Sequence, residues 1–293
     1  MYESILGRSC GWHKIEYTWR DSALYALAVG ETDNLYVYEK NMKALPSFGV
    51  LPYFNSLLTT PQEPVPRSGN VMARQLLCQE YGPHFKDGLH MSHELIVERP
   101  MDPIKGSLMY NDTVTNLWDR GKGKGIMVET TLPVYDESGQ LLCTNISRAG
   151  ILCEGGWGGP APDSGKLAYP DTAPDYVVGY HVPAFAHKLY RLTGDTNYLH
   201  IDEEYAANAG LGGKPIMQGL ASFGVACRML IGALIPGEPG RMRRMLVQMR
   251  APAYPDSPVQ LRAWKTDEHK VLFRYVDLNS GKAILDNCEF EWI

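Results

Sequence analysis

The chain has no run of about 18 apolar residues, so no segment reads as a membrane span. It has no basic surplus: 28 Lys+Arg against 33 Asp+Glu leave a formal net charge of −5. A nucleic-acid surface must neutralise phosphates with such a surplus, so nucleic acid is excluded as a partner. The densest basic cluster, Arg241, Arg243, Arg244 and Arg250, falls where alternation suggests a strand and reads as a solvated sheet face. Six cysteines (Cys10, Cys78, Cys143, Cys153, Cys227, Cys288) include no Cys-x-x-Cys pair. They read as reduced small hydrophobes, not as a disulfide framework or a zinc site. No Gly-x-Ser-x-Gly elbow is present, so a serine hydrolase has no nucleophile. The first residues lack a basic stretch followed by an apolar one, and the last three, Glu291-Trp292-Ile293, are not Ser-Lys-Leu. A cytoplasmic location is the expectation.

What is present suits a folded chain. The 293 residues are 44% hydrophobic and 21% charged, enough for a sizeable core and about two domains of about 150 residues. Glycines 155, 156, 158 and 159 and prolines 160, 162, 170 and 174 crowd Glu154–Pro174, which reads as an exposed linker. The division expected is 1–153, a linker over 154–176, and 177–293.

Each half should hold one buried helix and several strands. Thr18 with Asp21 resembles a capping pair, and the run from Asp21 to Val29 ends at Gly30, with Leu24, Leu27 and Ala28 on one face. Ile126–Val134 and Gln140–Cys153 flank Asp136-Glu137-Ser138-Gly139, a hairpin turn. In the second half Ile216, Leu220, Phe223, Cys227 and Leu230 recur at helical spacing, and Gly232 with Pro236-Gly237 ends the helix. The period then becomes two: Val259, Leu261 and Ala263, then Val271, Phe273 and Tyr275, then Ile284, Asp286, Cys288, Phe290 and Trp292. The class is α+β.

The stretch richest in chemistry is Tyr190–Gly219. It sets Asp195, Asn197 and His200 in a loop after a strand-like run, Val182–Leu192, and before a short helix opened by Asp202 and closed near Gly210. A carboxylate and a neutral imidazole can share one water, one accepting its proton while the other orients or donates. Gly219 opens the next helix, where a backbone N–H suits a developing oxyanion. The competing reading is local: Asp and Asn in a glycine-containing turn commonly satisfy backbone groups.

YRLTGDTNYLHID (190–202) resembles the motif YRLSGDxNPLHID of the MaoC-like, type-2 (R)-specific enoyl-CoA hydratases. Lys214–Leu220 is similar to that family's KPILHGL, and Tyr17–Leu27, Pro46–Val50 and Gly155–Gly159 also have counterparts there. The resemblance implies a double hot-dog fold: two repeats, each a long helix wrapped by an antiparallel sheet. The first half would shape the acyl pocket and the second would carry the catalytic loop. It implies hydration of a trans-2-enoyl thioester, or the reverse dehydration, with Asp195 and His200 activating water, Asn197 assisting and the Gly219 N–H binding the thioester oxygen. The substrate is then an acyl-CoA or acyl-carrier thioester, no cofactor is needed, and a homodimer is expected. Three positions depart from the family pattern: Tyr198 for Pro, Gln218 for His, and Leu89-His90-Met91-Ser92-His93 for LHGEQ. Tyr198, Gln218 and His90 are therefore expected to border the acyl pocket. Dehydration of a specialised biosynthetic intermediate, or acyl binding without catalysis, stays open beside this.

Two further motifs carry less. His90-x-x-His93 would need a third ligand for a metal, and strand alternation would send the two rings to opposite faces, so no metal site is expected. Arg120–Gly125 (RGKGKG) lacks the strand and helix that frame a phosphate loop and reads as a flexible basic turn, with a CoA-phosphate contact as the alternative.

Overall fold

The period-two stretches form antiparallel strands in a computed structural model that describes residues 2–9, 11–54, 69–163, 165–211 and 213–293. They are β1 (His13–Thr18), β2 (Lys86–Val97), β3 (Lys105–Tyr110), β4 (Thr113–Asp119), β5 (Ile126–Tyr135), β6 (Leu141–Leu152), β7 (Tyr176–Val182), β8 (Met242–Met249), β9 (Ser257–Asp267), β10 (Lys270–Asp277) and β11 (Ala283–Trp292). The helices are α1 (Trp19–Ala28), α2 (Asn34–Val37), α3 (Leu51–Phe54), α4 (Gly69–Tyr81), α5 (Ala186–Arg191), α6 (Glu203–Asn208) and α7 (Gly219–Leu234). No helix among the described residues is long and apolar enough to cross a membrane.

One 11-stranded sheet runs β1-β3-β5-β6-β2-β8-β11-β10-β9-β7, with β4 on β5. The strands before residue 153 and those after 175 meet at a single seam, where β2 pairs with β8 from Ser92↔Gln248 to Ile96↔Arg244. Ion pairs cross the seam. Arg244 reaches Glu94 on β2, and also Glu289 (2.7 Å) and Glu291 (3.1 Å) on β11. Of the expected solvated basic face, Arg244 is thus paired across the seam. Most of the second half follows the expected alternation, with Val259, Leu261, Ala263, Val271, Phe273 and Tyr275 in the core. On β11 the alternation breaks: Asn287 takes φ 57°, the register against β8 shifts, and Asp286 turns out to Arg274 (2.9 Å).

Helix α7 is apolar nearly all round, as suits a helix surrounded by protein. It packs against β7, β8 and β11, and the side chains of Tyr25 on α1 and of Val29 just after it reach α7 at Gly224. A Cβ there would sit 2.5 Å from Val29 and 2.7 Å from Tyr25, so only glycine permits this approach. The burial along α1 corrects its expected face. Ser22, Ala23, Tyr25, Ala26 and Ala28 are buried, whereas Leu27 is 42% exposed. Helix α1 packs on α2, α5 and β1, and the leucine turns outward. Residues of both halves share one core, which includes Tyr25, Phe48, Leu95, Phe223, Phe273 and Phe290.

The expectation of one helix per half fails in the first half. There α4 covers a second, smaller core, setting Ala73 and Leu77 against Ile5, Phe85, Val114 and Ile126. The described residues of 154–174 have no regular structure, yet several are fastened to the sheet. Gly156 and Gly158 donate to Asp119 (both 2.8 Å), Tyr169 donates to the Phe273 carbonyl (2.8 Å), and Trp264 donates to that of Thr172 (2.9 Å).

Candidate active site

The loop that holds Asp195 and His200 hangs between two short helices, not between a strand and a helix. Strand β7 stops at Val182, before Pro183, and Ala186–Arg191 coils into α5 with Ala186, His187 and Tyr190 inward. Pro183 cannot donate to the sheet ladder and favours such a break. Beyond α5 the Thr193 hydroxyl and N–H both donate to the Tyr190 carbonyl (2.8 and 2.9 Å), and Gly194 turns the chain at φ 128°. Residues Tyr198–His200 form a 3₁₀ turn, and Asp202 caps α6 by accepting from the Tyr205 N–H (2.8 Å).

This geometry buries Asp195 and His200 together, at 7% and 8% exposure. His200 Nε2 lies 3.8 Å from Asp195 Oδ2, beyond a direct hydrogen bond. That separation is one that a single water with legs of about 2.8 Å would bridge. His200 Nδ1 lies 2.9 Å from the Ile216 carbonyl. A carbonyl only accepts, so Nδ1 carries the hydrogen and Nε2 is the ring atom that faces the carboxylate. Burial raises the Asp195 pKa above the usual carboxylate value; His200, the Asn197 N–H and Arg191 oppose the rise.

Asn197 is exposed, its N–H donates to Asp195 Oδ1 (3.2 Å), and its own Oδ1 accepts from the Leu199 N–H (3.0 Å). It thereby builds the loop through backbone contacts. Gly219 is the first residue of α7, and a Cβ on it would meet the Met249 sulfur at 2.7 Å. Ile216 lies before the helix that its spacing had suggested, and serves through its carbonyl. Gln218 is fully buried, and its Nε2 donates to the His187 carbonyl (2.9 Å). Tyr198, by contrast, is 54% exposed and lies beside Tyr205.

His90 sits on β2 opposite Ala149 of β6, outside the stretch of β2 that pairs with β8. A bulge around His90–Ser92 overturns the expected split of the two histidines. Their rings lie 5.5 Å apart, edge to face. His90 Nε2 is 2.9 Å from the Ser147 hydroxyl, His93 Nε2 is 3.0 Å from Asn145 Oδ1, and His93 stands edge-on to Phe223 of α7. Burial lowers the pKa of His90 to about 4 and that of His93 to about 3. No group of three His, Cys, Asp or Glu side chains is brought together for a metal among the described residues.

Sequence reasoning missed His187. It is 7% exposed, and its pKa is lowered by burial, by Lys188 and by His200, which places it in the electrostatic field of the pair. Reading Ala186–Arg191 at helical period would have turned it inward with Tyr190. The Asn145–Ser147 partners of the two histidines had no local signal, because a sheet register supplies them.

Comparison with known proteins accounts for both halves. Residues 15–152 match the MFE-2 hydratase 2 N-terminal domain and residues 166–285 match the MaoC like domain. The chain is 30% identical to enoyl-CoA hydratase 2, peroxisomal, of Arabidopsis thaliana, over 92% of each. It is 28% identical to enoyl-CoA hydratase ChsH3 of Mycobacterium tuberculosis, over 94% of this chain and 93% of that one. It spans 36% of the length of the Mus musculus peroxisomal multifunctional enzyme type 2, at 29% identity over 93% of its own. Among solved structures, a MaoC-like dehydratase from Phytophthora capsici superposes with a TM-score of 0.85 at 28% identity, covering 100% of this chain and 98% of that one. A double hot-dog protein of Mycobacterium tuberculosis shares the fold, at a TM-score of 0.56 and 14% identity over 100% of this chain and 97% of that one. The fold is therefore the double hot-dog, and the chain belongs to the MaoC-like, hydratase-2 family.

Proposed function

We propose that the chain adds water to a trans-2-enoyl thioester to give the (3R)-hydroxyacyl thioester, and catalyses the reverse dehydration. The observation that carries this is the buried Asp195–His200 pair, 3.8 Å apart, with the imidazole tautomer set by the Ile216 carbonyl. Water held by the two side chains delivers its oxygen to C3 of the substrate. The proton it loses passes to the pair and is returned to C2, so the pair ends as it began. Negative charge that develops on the thioester oxygen is met by the Gly219 N–H at the positive end of α7. Asn197 assists by fixing the loop on which Asp195 and His200 stand.

The carrier is CoA or an acyl-carrier phosphopantetheine; Tyr198 and His90 border the acyl pocket, while Gln218 stands next to Gly219 with its side chain turned to α5. A homodimer and a cytoplasmic location belong to the same proposal; the five described cysteines are free thiols, as a reducing compartment allows. The division into 1–153, a linker over 154–176, and 177–293 assigns the reacting groups to the third segment and the acyl pocket to the first.

The test is turnover of crotonyl-CoA and a longer enoyl-CoA, followed as loss of the enoyl absorbance, with the configuration of the product determined. Formation of the (3R) product supports the reading. Binding of the thioester without turnover in either direction would instead favour a non-catalytic acyl-binding role.

A further inference from the structure

The four residues before and at the start of α7 are held at successive points. The Ile216 carbonyl accepts from His200 Nδ1 (2.9 Å), and the Met217 N–H donates to the Ala253 carbonyl (2.8 Å). The Gln218 side chain donates to the His187 carbonyl on α5 (2.9 Å), and Gly219 then opens the helix. The first of the four orients His200 and the last presents the backbone N–H. Anything that shifts the segment moves both.

Gln218 is the only side chain of the four that ties the segment to α5 among the described residues. It has no exposed surface, and its Oε1 has no hydrogen-bond partner. A buried amide that leaves its acceptor unmatched is costly, and only its donor is used here. That donor joins α7 to the helix that leads into the Asp195 loop. We propose that Gln218 is a positioning residue, a strut from α5 that sets the Gly219 N–H and the His200 ring in register with each other. This rests on the hydratase reading for its catalytic consequence, though not for the strut itself. The strut acts through backbone, so its loss lowers the rate of the bound complex more than it weakens substrate binding.

The experiment compares wild type with Gln218→Met, which removes the donor at similar length, and with Gln218→His, which returns a ring N–H. Two readouts are taken: kcat and KM on crotonyl-CoA, and the imidazole ¹⁵N spectrum of His200, assigned with His200→Gln. Gln218→Met should lower kcat about tenfold or more with KM within about twofold, and should weaken or broaden the His200 Nδ1–H signal. Gln218→His should recover much of both. Where Gln218→Met does not fold, Gln218→Leu takes its place. A raised KM with unchanged kcat would overturn the proposal, since Gln218 would then be contacting substrate. An unchanged His200 spectrum in a folded donor-less variant would overturn it too. Failure of the wild type to hydrate crotonyl-CoA would count against the hydratase reading, while the spectrum would still decide the strut.

Discussion

His200 Nδ1 lies 2.9 Å from the carbonyl of Ile216, three residues before the glycine that opens α7. One hydrogen bond therefore fixes the tautomer of the imidazole and links the Asp195 loop to the helix end. The consequences of this link and of the burial around it can be measured.

Asp195 should cost the protein stability at neutral pH. Burial raises its folded pKa above the unfolded value of about 3.9, so the folded state binds the proton more tightly. The stability it contributes is greatest below the unfolded pKa and is lost as pH rises through the folded one. Asp195→Asn should accordingly melt at a higher temperature than wild type at pH 7, with the gap closing as pH falls toward the ordinary carboxylate range. A lower melting temperature at pH 7 would contradict the burial argument.

The His90–His93 pair should do the opposite. Both pKa values are lowered by burial, to about 4 and about 3, while an unfolded histidine titrates near 6.5. Stability is full above about 6.5 and is lost as pH falls toward the folded values. Urea melts between pH 7 and pH 4 should show a steeper loss for wild type than for His93→Gln; equal slopes would mean that His93 is solvated.

Gly219→Ala should fold and turn over slowly. Its new Cβ meets the end of the flexible Met249 side chain at 2.7–2.9 Å, which can give way only by displacing the helix start or the methionine. A loss in kcat of about 10–10² is expected, the scale on which small misplacements of catalytic groups act. Adding Met249→Ala should recover most of it. A double variant as slow as the single one would show that the N–H position is not what was lost.

Residues 177–293 alone should be insoluble or inactive although they contain Asp195, His200 and Gly219. The core under α7 is completed by Tyr25 and Val29, and the β2–β8 seam would be left as an open sheet edge. Co-expression with residues 1–153 should restore solubility. A soluble, fully active fragment would contradict the shared core.

Much of this was legible in the sequence, for identifiable reasons. Asp195, His200 and the α6 cap lie within eight residues, so their proximity is local and survives any error in the surrounding fold. Helix α7 announces itself through Leu220, Phe223, Cys227 and Leu230. The misreadings arise where tertiary contact overrides local pattern. Val182–Leu192 is apolar enough for a strand but coils after Pro183, and Leu27 lies outward while Tyr25 and the alanines of α1 face the core. The bulge that unites His90 with His93, and the partner that Gln218 finds on α5, depend on register and on chain crossing. Neither leaves a mark in the nearby residues.

The most direct measurement is kcat/KM for crotonyl-CoA hydration by wild type, Asp195→Asn and His200→Gln, each checked for an unchanged far-UV spectrum and cooperative melting. A water shared by a buried acid and an imidazole needs both, so each folded variant should lose about 10³-fold or more, and the double variant little beyond the worse single one. Near-normal turnover in either folded single variant would contradict the account.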